Sequence, residues 1–303
     1  MSGPTLVVLA AGLGSRFGGL KQFFELGPAG ETLADYTLFD AARAGFARAL
    51  LVVGERNARA CRARYAPRWK GRLAVETVVQ RLDDLPGGRR PPAGRRKPWG
   101  TAHAVWCARE RLDGPFAVVN ADDFYGRAAF VAARRFLARK SDEAALISYP
   151  VGETLSPTGG VARAVCRVGS DGRLRAIREC RDVRRRADGI VAVDAGELRL
   201  PADAQISMNF WCLPPGAPRA FEASLARLSG SDDEAAIPEA VGAAIASGAL
   251  SARALPEGRG WIGVTYREDA PAATSALKAL ASAGDYPSPV WARKPRSLRA
   301  ISA

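Results

Sequence analysis

The sequence predicts an α/β fold of three layers, in which helices cover both faces of a mostly parallel but mixed sheet. Apolar runs alternate with helical patterns through the first half of the chain, which is typical of parallel strands joined by crossover helices. The second half has short apolar runs separated by tight turns such as Ser170-Asp171-Gly172. That pattern indicates an antiparallel region built onto the same sheet.

The elements of the first half follow from apolar periodicity and turn residues. The run from Leu6 to Ala11 suits a buried strand, and TLADYTLFDAAR, at 32–43, has apolar residues at helical spacing. A further apolar run begins at Ala49 and stops at Gly54, a strand-breaking residue. By these criteria we expect strands over 6–11, 49–53, 74–79 and 116–120 and helices over 32–43, 56–65 and 101–112.

The second half is interpreted in the same way. We expect strands over 161–168, 174–179, 190–193, 206–212 and 261–266 and helices over 217–228 and 235–247. Between the third strand and the third helix, residues 82–100 (LDDLPGGRRPPAGRRKPWG) form a break that is too polar for a core. Loops of this length are usually lids or disordered segments, and we interpret its basic part, residues 89–97, as a lid, with a solvated insertion as the alternative.

The composition excludes several classes of protein. Hydrophobic residues make up 48% of the chain and charged residues 25%, as in globular proteins, and no apolar run approaches the roughly 20 residues of a membrane span. The chain enters a strand directly, so we expect no signal peptide. The five cysteines are scattered and never paired as C-x-x-C, which favours reduced thiols in the cytoplasm over disulfides or zinc.

The formal net charge of +13 does not by itself indicate a nucleic-acid partner. The densest basic runs, 89–97 and 181–186, contain no aromatic residue, whereas nucleic-acid binders more often place aromatics among their basic side chains. We therefore expect no nucleic-acid function. A positive field would still raise the local concentration of an anionic small-molecule substrate.

The most informative stretch is VVLAAGLGSRFGGLKQF, residues 7–23, in which a buried strand opens into a glycine-rich loop. Glycine lets the backbone approach a polyphosphate closely and present N–H groups to it. An arginine and a lysine, the only charges of the loop, supply positive charge for phosphate oxygens. The predicted triphosphate site comprises Leu9, Ala10, Ala11, Gly12, Gly14, Arg16 and Lys21.

Two better-known glycine motifs do not fit this loop. The dinucleotide fingerprint requires a third glycine where Phe17 stands, and the P-loop requires Ser or Thr after Gly-Lys, whereas Gln22 follows Lys21. The remaining pattern, G-x-G-S-R-x-x-x-x-K, resembles the signature of the nucleotidyltransferase superfamily with the glycosyltransferase-A-like fold. This resemblance implies a Rossmann-like sheet of the nucleotide-diphospho-sugar transferase type.

A second signal is Asp122, which follows the apolar run 116–120. Ligands of open α/β sheets bind beyond the carboxyl ends of the strands, so this carboxylate is expected opposite the glycine-rich loop. An oxygen ligand there suits a Mg²⁺ ion that bridges phosphate oxygens. The resemblance implies that Asp122 is the metal ligand and Asp123 its neighbour. The alternative is that the two aspartates cap the next helix.

The segment PWGTAHAVW, residues 98–106, is similar to the G-T-x-H-A segment of N-acetylglucosamine-1-phosphate uridylyltransferases. The resemblance implies that Gly100, Thr101 and Gln80 contact the base, although a basic insertion separates Gln80 from the other two. It favours UTP as the nucleotide, with CTP or dTTP next, and the small residues of the site leave a purine open. The single histidine, His103, is interpreted as packing on a helix face, with a catalytic base as the alternative.

The resemblance extends more thinly into the second half of the chain. It implies that Gly160 and Glu179, in a strand–turn–strand unit, hold a sugar together with Asn209. The second metal ligand of the family should come from WIGVTYRED, residues 261–269. The closest matches there are Gly263 and Thr265, and Asp269 is a later candidate.

Taken together, the resemblance implies a magnesium-dependent nucleotidyltransferase that joins a nucleoside triphosphate to a phosphorylated small molecule, by default a sugar-1-phosphate, and releases pyrophosphate. In this interpretation Arg16 holds the β- and γ-phosphates, Lys21 contacts the α-phosphate and the acceptor phosphate, and Asp122 holds the metal. A glycosyltransferase that uses a nucleotide-sugar and a non-catalytic nucleotide sensor are the alternatives. We expect one nucleotidyltransferase domain over 1–285, with a nucleotide-binding half of about 1–150 and an acceptor-binding half of about 151–270, followed by a loosely held basic tail over 286–303.

Overall fold

The computed structural model describes residues 3–12, 23–139 and 141–292. These residues form an α/β fold in which helices cover both faces of a central mixed sheet, as predicted. The strands are β1 (Thr5–Leu9), β2 (Arg48–Val53), β3 (Ala74–Val79), β4 (Phe116–Asn120), β5 (Asp123–Phe124), β6 (Ala144–Pro150), β7 (Val161–Val168), β8 (Leu174–Arg186), β9 (Gly189–Ala192), β10 (Leu198–Leu200), β11 (Gln205–Leu213), β12 (Ala252–Leu255) and β13 (Ile262–Gly263). The helices are α1 (Leu33–Ala44), α2 (Ala58–Trp69), α3 (Thr101–Cys107), α4 (Arg127–Leu137), α5 (Ala217–Ala220), α6 (Glu222–Ala226), α7 (Ile237–Ala246) and α8 (Ala270–Ser282).

One half of the sheet is parallel and the other half is mainly antiparallel. Strands β3, β2, β1 and β4 lie side by side and parallel, with Leu9 opposite both Val52 and Asn120. Strands β7, β8, β9 and β10 continue the sheet as an antiparallel series, which confirms the mixed sheet expected for the second half. The carboxyl ends of the four parallel strands meet at one rim, where a ligand site is expected.

Strand β11 joins the two parts, because its halves pair with different neighbours. Ser207, near its start, pairs with β7, whereas Trp211 and the residues after it pair with β4, and β6 runs along the other edge. The register shifts between Ser207 and Trp211, and Asn209 within this bulge has a φ of 60°. The bulge therefore lies where the parallel and antiparallel parts of the sheet meet.

Two apolar cores hold the helices on the sheet. Alternate side chains of β1 enter opposite cores: Leu6 and Val8 pack with residues of α1, α2, α4 and α8, and Val7 and Leu9 pack with residues of α3 and α5 to α7. This period of two is what a strand buried on both faces requires. No helix within the described residues is long and apolar enough to cross a bilayer.

The predicted boundaries agree best for buried strands. Predictions over 74–79, 116–120 and 161–168 coincide with β3, β4 and β7. The strand predicted over 261–266 was too long, because only β13 pairs there, with β5. No element was predicted for α4, β6, β12 or α8.

The Arg-rich break at 82–100 is fastened to the body of the protein, contrary to both expectations for it. Arg95 is 7% exposed, lies over the Trp99 ring at 3.3 Å and donates to the carbonyls of Gly230 (2.7 Å) and Asp233 (2.7 Å). Arg89 donates to the carbonyl of Ala226 at 2.6 Å. Charged donors that satisfy several backbone acceptors hold a loop in place, so a freely closing lid does not fit this packing.

The first residues of the predicted tail are also packed rather than loosely held. Tyr286 and Val290 are buried, and the Tyr286 hydroxyl donates to the Asp40 carboxylate at 2.6 Å. Arg68 lies 4.1 Å from the centre of the Trp291 ring. Tyr286 therefore anchors this segment on α1, and Trp291 anchors it on α2. Residues 293–303 lie outside the described part of the chain.

Candidate functional site

The carboxyl ends of β1, β2 and β4 form the floor of the predicted triphosphate site. The Ala10 N–H donates to Val52 O (2.7 Å) and the Ala121 N–H to Leu9 O (2.9 Å), which fixes the exit of β1 between its neighbours. Gly12 is exposed at this rim, and Ala11 before it is buried. The next residues of the loop lie outside the described part of the chain, and they include Gly14, Arg16 and Lys21. Their contacts with phosphate stay a prediction.

Two aspartates follow β4, and their surroundings differ. Asp123 is buried in the turn, where Asn120 Nδ2 donates to its Oδ2 at 2.8 Å. The Tyr125 hydroxyl accepts from the Asn120 N–H (2.8 Å) and donates to Met208 O (2.8 Å), which ties the turn to the bulge of β11. Asp122 is less buried and lines a neighbouring cavity.

That cavity lies between the turn after β4 and strands β7, β8 and β11, and we call it the acidic pocket. It is defined here by Asn120, Asp122, Asp123, Arg163, Glu179 and Asn209. Three predicted site residues that are distant in sequence, Asp122, Glu179 and Asn209, thus line one cavity. Its volume is about 180 Å³, below the roughly 300–1,000 Å³ of sites for drug-sized ligands. The pocket suits a small polar molecule.

Asn209 combines a strained backbone with an unpaired polar atom. Its φ of 60° is uncommon for a residue other than glycine. Its Oδ1 is buried and accepts no hydrogen bond from a described residue. The Ser207 hydroxyl accepts from the Asn209 N–H at 3.1 Å and helps to hold this conformation. Backbone strain and an unpaired buried acceptor both lower the stability of a fold. A ligand that donates a hydrogen bond to Oδ1 would give this acceptor a partner.

Gly160 lies beside the acidic pocket rather than in its wall. Its carbonyl accepts from the Tyr266 hydroxyl at 2.7 Å, and Ala162, two residues on, lines the pocket. A side chain at position 160 would collide with the Asp182 carboxylate. Gly160 therefore leaves room for the Asp182 side chain of β8 just before β7 begins.

The segment expected to supply a second metal ligand offers no carboxylate to the pocket. Gly263 pairs with Asp123, and a Cβ added at this glycine would lie 3.0 Å from Asp123 Oδ1. Thr265 lines the pocket. Asp269 Oδ1 accepts from the hydroxyls of Ser156 and Thr158, and its Oδ2 accepts from two backbone N–H groups, including that of Thr265. Both oxygens of Asp269 are therefore engaged in holding the turn that precedes α8, which argues against a role as metal ligand.

The predicted base-binding residues lie together at the end of β3 and the start of α3. Gln80 is buried, and its Nε2 donates to Gly100 O at 3.0 Å. Gly100 has a φ of 93°, and a Cβ there would lie 2.5 Å from Ala235 O, so only glycine fits. The Thr101 hydroxyl accepts from the Ile237 N–H at 2.9 Å and joins α3 to α7. The Thr101 hydroxyl thus has a structural role in holding α7 against α3.

The sequence that forms this site matches a known protein family. A family profile described as the MobA-like NTP transferase domain matches residues 6–259, which include β1, the acidic pocket and the base-binding residues. The chain belongs to this family. This NTP transferase is a nucleotidyltransferase, and the resemblance drawn from the glycine-rich loop is confirmed. No curated protein matches the chain significantly in sequence.

Solved structures share the fold of this NTP transferase. The inositol-1-phosphate CTP transferase from T. maritima superposes with a TM-score of 0.64 over 92% of this chain and 97% of its own, at 15% identity. A putative glucose-1-phosphate thymidylyltransferase from Bacillus anthracis, in complex with a sucrose, superposes with a TM-score of 0.61 over 91% of this chain and 96% of its own, at 11% identity. A UDP-glucose pyrophosphorylase complexed with UDP-glucose superposes with a TM-score of 0.61 over 91% of this chain and 99% of its own, at 16% identity.

Arg163 is a pocket residue of this NTP transferase that the sequence analysis missed. It is 8% exposed, its Nε donates to the Thr154 hydroxyl (3.3 Å) and its Nη1 to Ala162 O (2.7 Å), and it lies 5.1 Å from the Trp261 ring centre. Burial lowers its pKa to about 10, against the opposing field of Asp123 and Glu179. The signal in the sequence was an arginine at an inward-facing position of the apolar strand VARAV.

Glu179 lines the same pocket from β8, where it pairs with Ala164 of β7. Burial raises the pKa of its carboxyl, and the nearby Glu239 raises it further, whereas Arg163 lowers it. Among its described residues, the acidic pocket therefore places one guanidinium beside three carboxylates, on Asp122, Asp123 and Glu179. Such a set can accept hydrogen bonds from hydroxyl groups, donate to an anion and bind a hard cation.

Proposed function

We propose that this nucleotidyltransferase couples a nucleoside triphosphate to the phosphate group of a small, hydroxyl-rich acceptor and releases pyrophosphate. The observation that carries the proposal is the acidic pocket, in which Asp122, after β4, shares one cavity with Glu179 and Asn209 of β8 and β11. The proposed donor is a pyrimidine triphosphate, UTP first and CTP or dTTP next. The part up to about residue 150 would bind the nucleotide, and about 151–270 the acceptor.

The reaction depends on positioning and charge more than on covalent chemistry. An oxygen of the acceptor phosphate attacks the α-phosphorus in line, a new P–O bond forms, and the bond to the β-phosphate oxygen breaks as pyrophosphate leaves. A phosphate monoester dianion is already a competent nucleophile, so no side-chain base is required. In this proposal Arg16 neutralises the leaving phosphates, and Lys21 contacts the α-phosphate and the acceptor phosphate.

The donor set of the pocket fits a magnesium ion. Mg²⁺ is usually held by one or two carboxylates together with substrate phosphates, rather than by a cage of protein ligands. Asp122 offers one such carboxylate to the pocket. When bound, the ion would neutralise charge on the phosphate oxygens. Asp122 is the proposed ligand, whereas Asp123 would hold the turn.

The polar groups of the pocket support an acceptor with hydroxyl groups. Asn209 Oδ1 and the Glu179 carboxylate are both acceptors, and hydroxyl groups donate to such atoms. Arg163 is the one cation among the described lining residues, and it suits the acceptor phosphate. Sugar-1-phosphates are therefore the default class, and choline-like phosphates, alditol phosphates and phosphonates are alternatives. The superposed structures named after glucose-1-phosphate and inositol-1-phosphate support the same class.

A matrix of substrates tests the proposal. Each of UTP, CTP, dTTP, ATP and GTP is incubated with Mg²⁺ and with sugar-1-phosphates, polyol phosphates and phosphocholine, and pyrophosphate is measured. Pyrophosphate in proportion to a nucleotide-diphospho product, for at least one pair, is the expected result. In parallel reactions that offer a nucleotide-sugar in place of the triphosphate, a glycosyltransferase would release a nucleoside diphosphate, whereas a sensor would bind nucleotide without turnover. Either outcome would contradict the proposal.

A further inference from the structure

His103 lies directly behind Gln80, and the proposed function does not use it. It is fully buried on α3, and its Nδ1 lies 3.0 Å from Gln80 Nε2. Its Nε2 lies 2.8 Å from Asp84 O. A buried imidazole with a partner at each nitrogen has a defined tautomer, which the partners reveal.

The Asp84 carbonyl fixes where the imidazole proton is. A carbonyl oxygen only accepts, so His103 Nε2 carries the hydrogen and donates it. In the neutral ring Nδ1 then has a free lone pair, and it accepts from Gln80 Nε2. Burial lowers the pKa of His103, which favours this neutral form at pH 7.

The groups around the ring agree with that assignment. The Asp84 carboxylate is paired with Arg109 at 2.9 Å, and its field and that of Arg109 act on the imidazole in opposite directions. Arg95 opposes protonation of the ring. Cys107 Sγ lies 3.6 Å from Nε2, and burial raises the pKa of this thiol to about 12, so it stays neutral.

These contacts use both amide hydrogens of Gln80. One Nε2–H donates to His103 Nδ1 and the other to Gly100 O. The carbonyl of Gly100 identifies the donating atom as nitrogen, so the amide orientation is set by its partners. No described residue donates to Gln80 Oε1. The only group that Gln80 has left for a ligand is therefore an acceptor.

We propose that His103 is a positioning residue for base selection: as the Nε2–H tautomer it holds Gln80 so that the side chain presents only Oε1 to the nucleobase. The base must then offer an N–H donor, such as N3–H of uracil or thymine or the exocyclic amine of cytosine. This inference rests on the proposed function and on the base contact that the resemblance implies for Gln80.

The inference predicts what each substitution at position 103 does. In His103→Leu, Gln80 Nε2 loses its acceptor and the amide can turn. The enzyme should then discriminate less between bases that have an N–H donor and bases that lack one. In His103→Asn, the side-chain oxygen stands as many bonds from Cα as Nδ1 and restores the acceptor. Trp106→Phe is the matched control, because Trp106 Nε1 donates to Asp84 Oδ1 at 3.2 Å on the same helix without a hydrogen bond to Gln80.

The kinetic test compares kcat/KM for the best pyrimidine triphosphate with that for the same nucleotide methylated at its donor nitrogen. The wild type and Trp106→Phe should prefer the unmethylated nucleotide. His103→Leu should lose about tenfold of that preference, the size of one hydrogen bond, and His103→Asn should regain most of it. An unchanged preference in His103→Leu overturns the inference while the proposed function stands. No transfer with any triphosphate overturns the proposed function itself.

A spectroscopic measurement tests the tautomer directly, even where a variant fails to fold. His103 is the only histidine of the chain, so ¹⁵N-histidine labelling gives one imidazole spectrum. At pH 7 we expect a protonated Nε2 and an unprotonated Nδ1, and on acidification the preference for the unmethylated nucleotide should fall as Nδ1 becomes protonated. A Nδ1–H tautomer or an imidazolium at pH 7 would overturn the inference.

Discussion

The positive φ and the unpaired Oδ1 of Asn209 both lower the stability of the fold, so replacing this residue should affect substrate binding and stability differently. Asn209→Gly removes the unpaired Oδ1 and relieves the positive φ, so the variant should unfold at the same or a higher temperature. If Oδ1 binds an acceptor hydroxyl, KM for the acceptor should rise about tenfold while KM for the nucleotide stays constant. Steady-state kinetics with both substrates, together with thermal unfolding, measures the two effects.

Glu197 provides the matched control for that substitution. Its φ of 56° is also positive, but it does not line the acidic pocket. Glu197→Gly should therefore relieve the backbone in the same way and leave both KM values unchanged. An Asn209→Gly variant with wild-type kinetics would show that the bulge is only structural.

The two aspartates after β4 should respond differently to loss of charge. Asp122→Asn keeps the size of the side chain and removes the proposed metal ligand, so kcat should fall at least about a hundredfold with little change in thermal stability. Asp123→Asn should act more on stability, because Asp123 Oδ2 is the buried acceptor of Asn120 Nδ2. A chelator should abolish activity and Mg²⁺ should restore it. The reverse ranking of the two variants would assign the metal to Asp123.

At the scale of elements, the basic loop at 82–100 is predicted to be part of the folded body. Arg95→Ala removes donors to several backbone carbonyls and should lower the free energy of unfolding by about 2–4 kcal/mol. Arg96→Ala, at the exposed neighbour, should change it by less than about 0.5 kcal/mol. Urea unfolding of both variants measures this. Equal stability with a raised KM for nucleotide in Arg95→Ala would instead support a lid.

The contact between α1 and the segment after α8 is predicted to depend on pH. Burial raises the pKa of Asp40 to about 7, and the hydrogen bond from Tyr286 offsets only part of that rise. Because the folded pKa exceeds the ordinary aspartate value of 3.8, the folded state binds this proton more tightly than the unfolded chain. The contribution of Asp40 to stability is therefore fully present below about pH 4 and is lost as the pH rises towards 7.

Asp40→Asn tests that sign. The free energy of unfolding of the wild type minus that of the variant should fall by about 1 kcal/mol for each pH unit between pH 5 and 7. Asp285→Asn removes an exposed carboxylate near Tyr286 and should show no such trend. A difference between wild type and Asp40→Asn that does not vary with pH would contradict the prediction.

For the whole molecule, the sequence predicted the parts that depend on local pattern. Strands β3, β4 and β7 were predicted with their observed bounds, because buried apolar runs end at turn residues. The fold class followed from the alternation of elements, and Asp122 from its place after a parallel strand. Glu179 and Asn209, which share the acidic pocket, were predicted only through the resemblance.

The remaining features depend on contacts between distant residues, which no local pattern reveals. The burial of Arg95 depends on carbonyls more than a hundred residues away, and the anchoring of Tyr286 depends on Asp40. Asp269 Oδ1 accepts hydrogen bonds from the hydroxyls of Ser156 and Thr158, which are more than a hundred residues away in sequence. Arg163 was overlooked because a charged residue in a strand usually faces solvent, whereas here it faces a polar cavity between two parts of the sheet.

The measurement that tests nucleotidyl transfer most directly follows the oxygen atoms of the acceptor. A sugar-1-phosphate with ¹⁸O in its phosphate group is incubated with UTP and Mg²⁺, and the products are observed by ³¹P NMR. The account predicts a nucleotide-diphospho-sugar whose bridging oxygen carries the label, together with an equal amount of unlabelled pyrophosphate. Label in the pyrophosphate, or a nucleoside diphosphate formed without pyrophosphate, would contradict it.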